Sequence, residues 1–201
     1  MEDYSYLFDN AVKEEKPNHL IFIKDNPEKV FIKDLRRNNL RQLINFIPEE
    51  KKSYHIISNG ASDCFDFIPI FIEKFNYIDE IIATTWSINH NHIEELLGYY
   101  DNNKIGKIQI LTGDEFKTRR SASYAYCVIE LKKRNQDYLS INNHAKLVLI
   151  SNEKLNQYIV IDSSANFTTA KRIENYVMNN DKALFDFHKT WITHYFKRVN
   201  K

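Results

Sequence analysis

The chain is poor in the residues that punctuate or staple a fold. Its 201 residues include four glycines, four prolines and two cysteines, and 28 Lys and Arg stand against 27 Asp and Glu, a formal charge of +1. The two cysteines, Cys64 and Cys127, lie far apart in apolar surroundings. That spacing argues against a disulfide framework or a cysteine-based zinc site and predicts reduced core thiols. A charge so close to zero excludes a uniformly basic surface, so a polyanionic partner would have to be held by a local patch. No apolar run approaches membrane-spanning length, and Met1 to Tyr6 contain neither a basic region nor an apolar stretch. The expectation is therefore a cytoplasmic protein with no membrane partner. No internal repeat is visible.

What is present is an ordinary globular composition, 43% hydrophobic and 13% aromatic, in a chain long enough for one domain with a sizeable core. Residues 1–18 read as a polar arm. His19–Lys24 and Lys29–Lys33 flank Asp25-Asn26-Pro27-Glu28 and read as a hairpin, after which Asp34 is placed to cap a helix running to Pro48. From Ser53 onward strands and helices alternate. Strands are expected at Tyr54–Ile57, Glu80–Trp86 and Lys107–Thr112. The helices between them are capped by Ser62 or Asp63, pass through Ile93, Leu96 and Leu97, and run in one piece from Asp114 to about Arg134. A last helix, from Asp181 to about Lys197, carries Leu184, Phe185, His188, Trp191, Ile192 and Tyr195 as an apolar stripe. The expected architecture is α/β: a single domain, residues 51–201, with a mixed, largely parallel sheet and helices on both faces, extended by an N-terminal hairpin and helix over residues 1–50.

Two stretches concentrate the polar chemistry. Asn143-His144-Ala145-Lys146 opens the apolar run Leu147–Ile150, and Ser163-Ser164-Ala165-Asn166-Phe167-Thr168 closes the apolar run Tyr158–Asp162. Side chains two apart on a strand share a face, so His144 and Lys146 put an imidazole and a cation side by side. Ser164 and Asn166 repeat that spacing on the second strand or the turn leaving it, and both can donate hydrogen bonds to anionic oxygens. Two neighbouring strands would make of these four a phosphate site containing a nucleophile.

His144-x-Lys146 followed by the Ser-Ser-Ala-Asn-Phe-Thr run resembles the HxK…GSxN signature of the phospholipase D superfamily, and most of all its small single-motif nuclease-like members. Where that family carries aspartate and glycine, this sequence has Ser151 and Ser163. The resemblance implies a phospholipase D-like fold and a phosphodiesterase that needs no metal or other cofactor. It implies His144 as nucleophile and Lys146, Ser164 and Asn166 as stabilisers of phosphoryl oxygens. Glu174, just past the motif, would be the acidic partner that holds the imidazole N–H. One motif supplies one histidine, whereas the reaction needs a nucleophile and an acid for the departing oxygen. The resemblance therefore implies a homodimer in which the second His144 is that acid.

Lys171 and Arg172, just past the site, and Arg119 and Arg120, in the cluster with Lys117, are candidate substrate contacts, with Trp86 at a strand end as a candidate border of the pocket. His90-Asn91-His92 invites a metal reading, but alternate residues at a helix start do not share a face and no ligand cluster supports them. His188 reads as a core or interface histidine. The favoured function is a nuclease acting on DNA or RNA. The alternatives are a phosphodiesterase acting on phospholipid or another small phosphodiester, and a nucleic-acid-binding module of the same fold without chemistry.

Overall fold

The computed structural model describes residues 28–199 apart from 51, 61 and 169–171. Elements follow in the order α1 (Glu28–Leu43), β1 (Ser53–Ser58), a 3-10 turn (Cys64–Asp66), α2 (Phe67–Phe75), β2 (Ile78–Thr85), α3 (His90–Asp101), β3 (Ile105–Gly113), α4 (Glu115–Arg119), α5 (Ser121–Lys133), β4 (Asp137–Ile141), β5 (Leu147–Asn152), β6 (Gln157–Ser163), β7 (Glu174–Asn180) and α6 (Lys182–Val199). The seven strands form one sheet in the order β1-β7-β6-β5-β2-β3-β4.

The interior strands are continuous apolar runs because both faces of the sheet are covered. On one face Ile81, Ala83, Ile108, Ile110, Val148, Ile150, Ile159 and Ile161 join the large core with Phe67, Ile68, Phe71, Leu96 and Leu131. On the other, Ile82, Leu111, Leu149 and Val160 meet Phe185, Ile192 and Phe196 of α6. Helices on both faces are thus as expected. Cys64 and Cys127 are buried free thiols, and burial pushes both thiols upward in pKa.

The sheet is mixed, but it is not largely parallel. Only β2 with β3 and β3 with β4 run parallel; β2–β5, β5–β6, β6–β7 and β7–β1 are antiparallel. The physical reason lies in the four residues between Asn152 and Gln157, since so short a connection allows a hairpin and no crossover. β4 and β7 were not foreseen.

The hairpin also needs correction. Its first strand lies outside the described residues, and Lys29–Lys33, read as its second strand, belongs to α1. No proline or glycine interrupts Glu28–Leu43, and the helix is fixed by tertiary contacts: Leu40 and Ile44 are buried in the core. Asp34 therefore lies inside a helix and does not cap one. Arg37 packs between Asp66 and Glu95, with Nε 3.0 Å from Asp66 Oδ1 and Nη2 2.8 Å from Glu95 Oε2. The long helix expected from Asp114 is two helices, broken at Arg120, whose Nη1 is held by Asn89 Oδ1 at 3.0 Å. Asp63 caps as expected, accepting from Phe65 N at 2.9 Å while Asp66 accepts from Asp63 N at 3.1 Å.

Scarcity of glycine is met by asparagine. Asn76, Asn103, Asn135 and Asn156 adopt φ between 53° and 62°, after α2, α3 and α5 and in the β5–β6 turn. Asparagine is the residue besides glycine that enters this left-handed region most readily.

Candidate active site

Polar residues gather where β2, β3 and β6 end and β5 and β7 begin. There Thr84 faces Leu147, Leu147 faces Asp162, and Ser163 faces Tyr176 across the sheet. An open cleft of about 550 Å³ lies at this edge, lined by His144, Lys146, Asp162, Ser164, His188 and Trp191 among others.

His144 and Lys146 sit in the turn leading into β5, one residue short of the strand, and the turn is made rigid by Asn143. Its Oδ1 accepts from Ala145 N at 3.1 Å, and its Nδ2 donates to Thr85 O at 3.3 Å. Leu147 N then donates to Thr84 Oγ1 at 3.1 Å, so the motif is tied to the end of β2 at two points. The His144 ring is exposed, and Lys146 Nζ lies against it, 2.9 Å from Nδ1 and 2.6 Å from the His144 carbonyl oxygen. An ammonium can only donate, so Nδ1 is the acceptor of this contact. Burial lowers the pKa of Lys146, and the carboxylate of Glu174 opposes that fall.

Ser163 stands where the phospholipase D signature has glycine, and its hydroxyl accepts from Ala165 N at 2.8 Å, shaping the turn without a left-handed residue. Ser164 follows into the cleft. Its Oγ accepts from Asn175 N at 3.1 Å and donates to the Glu174 carboxylate. The expected contact of Glu174 with the imidazole is therefore not made: Glu174 is bound to Ser164, and the His144 ring is met by Lys146. The reason is register, since Glu174 begins β7 opposite Ser58, beside the turn that carries Ser164.

Asn166 is not among the residues lining the cleft. Its Oδ1 accepts from Trp86 N at 3.0 Å, and Phe167 N donates to Thr85 Oγ1 at 3.1 Å, fastening the Ser164–Thr168 turn to the end of β2. His92, buried on α3, completes this anchor through Nδ1 to Phe167 O at 3.1 Å while its ring stacks on Phe65. Among the described residues no group of three or more His, Cys, Asp or Glu is arranged as a metal site.

Trp86, Arg119 and Arg120 come together, but in a second cavity of about 420 Å³ with Ser87 and Phe116. The Arg119 guanidinium lies 5.0 Å from the Trp86 ring centroid. Arg172 is exposed, and Lys171 lies outside the described residues.

Sequence reasoning missed Asp162, Trp191 and His188 as cleft residues. His188 was expected in a core or interface; it is half-buried and lines the cleft together with Trp191 of the same helix. The signal was a polar imidazole set into an otherwise apolar helical stripe.

No family model and no curated protein matches the chain. Among solved structures, the crystal structure of polyphosphate kinase from Porphyromonas gingivalis is similar with a TM-score of 0.51 at 15% identity, covering 70% of this chain and 25% of that one. The crystal structure of phosphatidylserine synthase from Haemophilus influenzae Rd KW20 gives a TM-score of 0.46 at 13% identity, over 68% of this chain and 37% of that one. This chain thus spans about a quarter of the length of the kinase. Identity this low speaks for the fold alone: the single α/β domain with its seven-stranded mixed sheet is a phospholipase D-like fold.

Proposed function

We propose that the protein is a phosphodiesterase that cleaves DNA or RNA through a phosphohistidine intermediate on His144. The observation that carries this reading is the convergence of an exposed imidazole, the Lys146 ammonium and the Ser164 hydroxyl in one open cleft from two separate turns. A phosphodiester seated there draws Lys146 from the ring onto a non-bridging oxygen and leaves the imidazole lone pair free to attack phosphorus. The N–P bond forms as the P–O bond to the departing alcohol breaks, and that oxygen takes a proton from a second imidazole, His144 of the partner in a homodimer. The same second imidazole then takes a proton from water, whose oxygen attacks phosphorus and releases His144. No metal is needed for either displacement. Ser164 joins by turning its hydroxyl from Glu174 to the phosphoryl group, and Asn166 acts by holding the turn.

Nucleic acid is favoured over lipid by the second cavity, where Trp86 and two arginines offer a stacking face and phosphate contacts near the same turn. Exposed Arg172, and Lys171 beside it in sequence, are further candidate phosphate contacts. Likeness of fold to an enzyme named as a polyphosphate kinase supports phosphoryl chemistry in general terms.

The test is incubation of purified protein with plasmid DNA, RNA or phosphatidylcholine vesicles in EDTA, beside His144→Ala. Cleavage of polynucleotide by the parent and its loss in the variant are expected. Cleavage of lipid alone overturns the nuclease reading. A second reading, a binding module without chemistry, is favoured by the engagement of Glu174 with Ser164 in place of the imidazole. It gains if parent and variant bind nucleic acid equally and neither cleaves it.

A further inference from the structure

The cleft contains a second imidazole from the same chain. His188 lies on α6 and borders the same space as His144, Lys146 and Ser164. Three residues on, Trp191 directs its indole Nε1–H to His188 Nδ1 at 3.1 Å. An indole nitrogen donates and never accepts, so Nδ1 carries no proton and the ring's hydrogen resides on Nε2. Among the described residues Nε2 has no hydrogen-bond partner, although the ring is held between Phe187, at 5.0 Å between centroids, and Trp191, at 6.4 Å.

Charged groups of both signs surround the ring. Asp162 approaches from β6, and Lys146 stands across the cleft at the start of β5. On α6 itself Lys189 is bound to Glu80, and Asp186 to Lys182. Burial holds the imidazole of His188 below its ordinary value, against the pull of the Asp162 carboxylate. A protonated ring would turn an Nδ1–H against the indole N–H, so the Trp191 contact opposes the charged form as well.

We propose that His188 and Trp191 form an oxyanion subsite, in which His188 donates Nε2–H to a non-bridging oxygen of a phosphodiester held by Lys146 and Ser164. This rests on the reading of the cleft as a phosphodiester site, and it adds a donor from outside the motif turns. A neutral imidazole serves as such a donor without bringing a second full charge beside Lys146.

The experiment is nitrogen-detected NMR of the full chain labelled at histidine, near neutral pH, with and without inorganic phosphate. His188 should show the Nε2–H tautomer, and phosphate should shift its Nε2 signal together with those of His144. In cleavage assays His188→Ala should lower kcat/KM about tenfold or more, while His188→Gln, whose amide N–H lies near the lost Nε2–H, should recover most of it. An Nδ1–H tautomer, or phosphate that shifts His144 and leaves His188 unmoved, overturns this inference while the cleft reading stands. Phosphate that moves neither histidine overturns both.

Discussion

Gly113 ends β3 beneath the two turns that carry the site, and adding one methyl group there tests whether their spacing matters. A Cβ at residue 113 would stand 2.6 Å from Trp86 Cδ1 and 3.0 Å from the carbonyl oxygens of Asn143 and Trp86. The indole can swing aside, but the two carbonyls belong to the backbone, and relief means moving the His144 turn away from β2. Such overpacking costs about 1–3 kcal/mol. Asn143 bridges Thr85 and Ala145, so the displacement passes directly to the imidazole one residue on. Gly98→Ala is the control: a Cβ there meets nothing within 4 Å, and inside α3 the exchange should stabilise by about 0.5–1 kcal/mol. Urea unfolding followed by circular dichroism gives the stabilities, and polynucleotide cleavage under fully native conditions gives the activities. Gly113→Ala should lose both stability and, by misplacing the proposed nucleophile, about tenfold or more of its rate. Gly98→Ala should gain stability at unchanged rate. A Gly113→Ala protein as stable and active as the parent would refute the argument that these turns are set by close approach to β3.

Arg37→Met keeps the aliphatic stem but removes the cation that pairs with the carboxylates of Asp66, which is 3% exposed, and Glu95. Breaking a buried pair in this way costs about 3–5 kcal/mol, read as a lowered urea midpoint, and an unchanged midpoint would show that α1 is not anchored through this contact. Hydrogen bonding from Arg134 holds Asp101 below the ordinary carboxylate value. A depressed carboxylate adds stability above its unfolded pKa and loses it as pH falls through the folded value. Arg134→Met should therefore be slightly less stable than the parent near neutral pH, with the difference closing below about pH 4. A difference that widens on acidification would contradict that sign. Arg119→Ala, which uncovers the Trp86 ring, should weaken polynucleotide binding, and the salt dependence should be shallower; equal affinity at low salt would remove the second cavity from the substrate path.

The surroundings of the proposed nucleophile were legible in sequence because they are local: His144 and Lys146 lie two residues apart, and Ser164 sits at the end of an apolar run. Partners that depend on register were not. Glu174 was placed beside the imidazole by the family resemblance, but β7 pairs so that it meets Ser164. His188 and Trp191 lie more than forty residues from His144 and reach the cleft only because α6 crosses that face of the sheet. Strand and helix alternation identified the two-faced sheet, while strand direction was hidden in the length of one connection, Glu153 to Asn156, that permits only a hairpin. The β-branched run at Lys29–Lys33 looked like a strand, and the longer helix that holds Arg37, Leu40 and Ile44 against the core overrode that local preference.

The most direct measurement is mass spectrometry of protein quenched in alkaline denaturant during turnover of a labelled oligonucleotide, conditions under which a phosphoramidate survives. A phosphoryl adduct on the residue-144 imidazole, absent from His144→Ala, is the predicted result. Rapid cleavage with no adduct at that residue, and an undiminished rate in the variant, would contradict it.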